Sequence, residues 1–73
     1  MERVLARAER LELISWRVRL GLTLEELAEG IERDLGETVD VSTLSRYETG
    51  ARRPLRFLVR AWRRALEALE KAE

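Results

Sequence analysis

The chain has 73 residues, 14 of them basic and 14 acidic, and contains neither Cys nor His. This length allows one small domain, residues 1–73, with a core worth only about 3–5 kcal/mol of net stability. The composition excludes disulfide staples, the usual zinc ligand sets and the common nucleophile–base pairs of enzymes, so no metal, cofactor or catalysis is expected.

Zero net charge hides a segregation. Residues 25–40 hold seven acids and one Arg, whereas residues 41–64 hold seven Arg and one Glu. A basic stretch inside a neutral average is the electrostatic footprint to look for in a nucleic-acid binder. Leu, Ala, Glu and Arg dominate and β-branched residues are sparse, which predicts an all-α fold. The N-terminus carries charges every few residues, and no run approaches the ~20 apolar residues of a membrane span. A soluble, cytoplasmic protein without membrane contact is expected. Asn and Gln are absent and Arg outnumbers Lys 13 to 1. These biases fit a thermophilic source, and a GC-rich genome would equally explain the arginines.

In chain order, helix 1 is predicted from about Glu2 to Leu20. Its stripe is read as Val4, Leu5, Ala8, Leu11, Ile14 or Ser15, and Val18, with Trp16 filling a core position. Gly21 ends it. Helix 2 opens at "TLEE", a capping box of Thr23 and Glu26. Leu24, Leu27, Ala28, Ile31 and Leu35 form its stripe, while Glu25, Glu26, Glu29, Glu32 and Asp34 are expected to face water. Gly30 marks either a close helix crossing or a bend. After Gly36, Asp40 is the expected N-cap of helix 3, from about Val41 to Thr49. Leu44, Tyr47 and Glu48 are read as inward, and Ser42, Thr43, Ser45 and Arg46 as more outward. Gly50 closes helix 3 and Pro54 allows a new start. Helix 4 is predicted from about Leu55 to Lys71, with the stripe Leu55, Leu58, Val59, Trp62, Ala65, Leu66 and Leu69. Phe57 lies off that stripe and is read as packing locally or forming part of a dimer face.

Three segments in this order, "RLGLTLEELA", "VDVSTLSRYETGARRP" and "LRFLVRAWRRAL", resemble the lambda-repressor-like, Cro-type helix-turn-helix (XRE) family over roughly Leu13 to Leu66. The resemblance implies a compact bundle of four or five helices in which helices 2 and 3 form the helix-turn-helix and helix 3 enters the major groove. It also implies a structural ion pair between Arg17 and Glu48. Two departures stand out. About six extra residues separate Ala28 from Val39: four extend helix 2 by one turn and two lengthen the turn after it. Leu24 stands where relatives often carry a Gln that touches DNA.

Arg46 is the leading base-reading candidate, because Arg can hold guanine O6 and N7 bidentately. The alternative is a solvated arginine or one touching phosphate only. Val41 could meet a thymine methyl or pack under the turn. Ser42 and Ser45 complete the base-reading set, although helix hydroxyls often bond back to the chain. Thr23, Thr43, Thr49, Arg52 and Arg53 are the phosphate candidates. The expected function is sequence-specific binding of double-stranded DNA as a transcriptional regulator, with a homodimer on two half-sites. The rival is a protein-interaction module on the same fold, which binds a polymerase, nuclease complex or phage factor without reading DNA.

Overall fold

The computed structural model describes residues 7–72 and contains four helices: α1 (Arg7–Arg19), α2 (Leu24–Leu35), α3 (Val41–Thr49) and α4 (Arg56–Lys71). Among the described residues this is the lower of the two expected helix counts. The part of helix 1 predicted over residues 2–6, with Val4 and Leu5, lies outside the described residues.

The chain's own caps set the boundaries. Beyond α1, the Leu22 N–H reaches the Arg17 carbonyl at 3.1 Å and the Gly21 N–H reaches that of Val18 at 3.0 Å, a Schellman closure around a left-handed glycine. At α2 the Thr23 hydroxyl accepts from the Glu26 N–H at 3.1 Å, while the Glu26 carboxylate accepts from the Thr23 N–H at 2.9 Å. Both halves of the capping box form. Asp40 caps α3 by accepting from the Ser42 N–H.

The core is built from Leu13 of α1, Leu27, Ala28 and Ile31 of α2, Leu44 of α3, and Leu58, Val59, Ala61, Trp62, Ala65 and Leu66 of α4. Trp62 is its largest member and is fully buried. Tyr47 packs beside it, with ring centroids 6.4 Å apart and planes tilted by 39°.

Gly30 lets α2 and α4 meet closely. A Cβ there would lie 3.1 Å from Leu69 Cδ1 and 3.3 Å from Ala65 Cβ. The helix runs unbroken through this glycine, so the crossing explains it and a bend does not.

Four sequence expectations need correction. First, the buried face of α1 lies on the opposite side from the stripe read in the sequence. Leu13 is fully buried, whereas Leu11 and Val18 are 50% and 60% exposed. Second, Trp16 is only half-buried at the edge of the core, where its Nε1 donates to Glu70 Oε1 at 3.1 Å. Third, Leu55 precedes α4 as its N-cap residue and is 64% exposed, so it does not belong to the core stripe.

Fourth, two acids of α2 do more than face water: Glu32 is half-buried, and Asp34, though exposed as expected, is bonded to α4. Glu32 accepts the Val39 N–H at 2.9 Å and so closes the lengthened turn. Asp34 accepts from Arg64 Nε at 3.0 Å and Nη2 at 2.7 Å, fastening the added turn of α2 to α4. The extension thus brings its own attachments.

Candidate nucleic-acid interface

Helix α3 is short, and its position depends on what holds its two ends. At its C-terminal end, Glu48 takes a fork from Arg17: Nε donates to Oε2 at 2.8 Å and Nη2 to Oε1 at 3.1 Å. The third guanidinium nitrogen of Arg17, Nη1, donates to the Leu22 carbonyl at 2.7 Å. One arginine of α1 therefore ties the start of the helix-turn-helix to the end of α3. The two side chains are 17% and 11% exposed, so each charge depends on the other for compensation.

Arg10 supports the same end. A Cβ on Gly50, whose φ is +86°, would lie 3.0 Å from Arg10 Cζ, so the guanidinium covers the glycine that terminates α3. A cation there faces the negative end of the helix dipole. Sequence reasoning missed Arg10. Its signal is spacing: Arg10, Leu13 and Arg17 stand at i, i+3 and i+7, on one helix face.

On α3, Leu44 is buried, and Val41, Tyr47 and Glu48 are half-buried. Val41 packs against the core cluster, the local-packing alternative for this residue. Ser42, Arg46 and Thr49 are exposed and follow helical spacing along the outer face, with Ser45 half-buried at its flank. Thr43 is half-buried on the other flank, in a groove shared with Tyr47 and Phe57.

Two of the hydroxyls are already engaged as donors. Ser42 Oγ donates to Asp40 Oδ2 at 2.9 Å, and Thr49 Oγ1 donates to the Arg46 carbonyl at 3.1 Å. Each keeps only acceptor capacity, which suits a base amino group better than a phosphate. Thr23 is exposed at the start of α2 and accepts in the capping box, so its own O–H remains available to an acceptor.

The loop after α3 folds back on the helix. Arg52 N–H donates to the Arg46 carbonyl at 3.3 Å, which sets the Arg52–Arg53 pair beside the C-terminal half of α3. Arg46, Arg52 and Arg53 are all exposed, and none has a side-chain acid partner among the described residues.

Two arginines of α4, by contrast, are engaged within the fold. Arg63 reaches Glu9 at 3.0 Å and Glu12 at 3.2 Å, joining α4 to α1. Arg64 holds Asp34, and this hydrogen-bonded pairing keeps the Asp34 carboxyl below its ordinary pKa. The same acids raise the pKa of Arg63 and Arg64 above the usual arginine value.

No cluster of three or more His, Cys, Asp or Glu able to hold a metal occurs among the described residues. None of the described helices is long and apolar enough to cross a membrane. Nothing significantly similar emerges from curated proteins or from solved structures. A family model described as helix-turn-helix matches residues 13–69, which takes in all of α2 and α3 together with most of α1 and α4. The four helices, the paired caps and that match agree: the chain belongs to the helix-turn-helix family, in its lambda-repressor-like (XRE) branch.

Proposed function

We propose that the chain is a single-domain, sequence-specific DNA-binding transcriptional regulator of the cytoplasm, which inserts α3 into the major groove and acts as a homodimer. The observation that carries this reading is the state of Arg46. It stands on the outer face of α3 without an acid partner among the described residues, and its carbonyl anchors the loop bearing Arg52 and Arg53. Arg46 reads guanine. Ser42 and Ser45 lie beside it, and Val41 contributes only its outward edge. Arg52, Arg53, Thr23 and Thr43 meet phosphate and set register, while Thr49, its proton already given to the Arg46 carbonyl, is left to accept from a group on the groove wall. Arg17 and Glu48 hold the geometry. With no Asn or Gln in the chain, the usual bidentate partners of adenine are missing, so readout leans on guanine and on DNA shape.

The test is fluorescence-anisotropy binding to a pool of duplexes at two salt concentrations. Wild type should bind in a salt-dependent way. Arg52→Ala/Arg53→Ala should reduce the log–log salt slope by about 2. Arg46→Ala should remove sequence preference worth about 1–3 kcal/mol. Absence of wild-type binding even at low salt would contradict the proposal and favour a module that binds another protein.

A further inference from the structure

The N-terminal end of α3 carries two residues whose hydrogen bonds fix their polarity. Ser42 Oγ donates to Asp40 Oδ2 at 2.9 Å, and the Ser42 N–H donates to Asp40 Oδ1 at 3.4 Å. A carboxylate has no proton to give, so the serine hydroxyl supplies it. Asp40 is itself held in place, because its carbonyl accepts from the N–H groups of Thr43 and Leu44, each at 3.1 Å. Both Asp40 and Ser42 are exposed, and Asp40 has no cation partner among the described residues.

The pair presents lone pairs and no proton. Phosphate repels the Asp40 carboxylate and asks for a donor, so the backbone is the wrong ligand. Base edges in the major groove differ in what they offer. Guanine shows the acceptors N7 and O6, thymine the acceptor O4, and adenine the acceptor N7 beside its amino group. Cytosine shows a donor only, the N4 amino group.

We propose, resting on the DNA-reading function above, that Asp40 is a specificity-determining residue: with Ser42 it forms an acceptor-only reader that selects cytosine. Ser42 and Arg46 are both exposed on the outer face of α3, four residues apart. Four residues advance the helix by about 6 Å, close to two base steps of about 3.4 Å each. A cytosine at the Asp40–Ser42 pair and a guanine at Arg46 therefore fit within one half-site, about two steps apart.

The test is selection of bound duplexes from a randomised pool by wild type, Asp40→Asn, Ser42→Ala and Arg46→Ala, followed by sequencing. Asn caps a helix about as well as Asp does, so Asp40→Asn should keep the wild-type urea midpoint. Its amide oxygen takes the Ser42 N–H and its amide N–H2 turns to Ser42 Oγ, which releases the serine proton to donate.

Wild type should enrich a cytosine about two steps from a guanine. Asp40→Asn should lower the cytosine preference by about fivefold or more, toward bases that carry an acceptor, and should keep the guanine. Ser42→Ala should also weaken the cytosine preference. Arg46→Ala should lose the guanine and keep the cytosine.

An unchanged site in Asp40→Asn and Ser42→Ala, with the guanine still lost in Arg46→Ala, overturns the inference and leaves the DNA-reading function standing. A uniform gain in affinity by Asp40→Asn on every duplex, without a change of preference, also overturns it, because Asp40 then acts only as a charge. If wild type enriches no sequence, the DNA-reading function fails and this inference fails with it.

Discussion

Eight arginines of this chain form two contrasting groups, and the difference between them organises the molecule. Arg17, Arg63 and Arg64 spend their charge on Glu48, on Glu9 and Glu12, and on Asp34, joining helices that the small core alone would hold weakly. Arg46, Arg52, Arg53, Arg56 and Arg60 lie exposed without such partners among the described residues. The first group is scaffold and the second is surface available to a ligand. This explains how a net charge of zero coexists with exposed arginines that have no acid partner among the described residues. Several of the acids that balance the sum are occupied inside the fold, and a neutral total says little about the local field.

Removing one half of a scaffold pair should have the largest effect. Glu48→Ala leaves Arg17 uncompensated in a mostly buried position, at a cost of about 3 kcal/mol. Set against a total of roughly 5 kcal/mol for a domain of this size, urea denaturation should find the variant close to unfolding.

Next comes Gly50→Ala, which forces a side chain into a left-handed backbone and into the Arg10 guanidinium. A loss of about 2 kcal/mol is expected, read as a lowered urea midpoint. A neutral result would mean that Arg10 is not held where it lies.

Arg46→Ala sharpens the contrast from the other side. It should leave the urea midpoint within about 0.5 kcal/mol of wild type while costing about 1–3 kcal/mol in discrimination between duplexes.

The smallest effect concerns pH. Arg64 depresses the pKa of Asp34 below its ordinary value of 3.8 in the folded state, so the pair stabilises the fold above that value. That contribution is lost as pH falls through the depressed folded value. Wild type should therefore lose stability more steeply than Arg64→Ala on acidification below pH 4, as followed by thermal unfolding across a pH series. Equal slopes would mean that the pair contributes nothing in solution.

The limits of α2 and α3 were legible because their signals are local. Thr23 with Glu26, Asp40, and the glycines at 36 and 50 each act within a turn of the residue they cap. The inner face of α1 was not legible from periodicity. Apolar residues occur on two sides of this helix, at 11, 14 and 18 and at 13, 16 and 20, so spacing alone does not choose between them. The choice is tertiary. A bond from Arg17 to Glu48 requires the face of Arg17 to turn toward α3, and Leu13, one turn earlier, goes inward with it. The expected ion pair was thus inconsistent with the expected stripe, and the structure follows the pair. Glu32 and Asp34 read as solvated acids because their partners, Val39 across the turn and Arg64 thirty residues away, depend on how the extended helix lies against α4. At the candidate site, exposure along the outer face of α3 followed from helical spacing. The engagement of Ser42 and Thr49 as donors depends on hydroxyl geometry that a sequence does not carry.

The most direct test of the two populations is duplex binding by wild type, Arg64→Ala and Arg52→Ala/Arg53→Ala, measured side by side across a salt series. If the account holds, Arg64→Ala binds with the wild-type salt slope and the loop variant binds with a slope reduced by about 2. Equal slopes for all three proteins, or no binding by wild type at low salt, would contradict it.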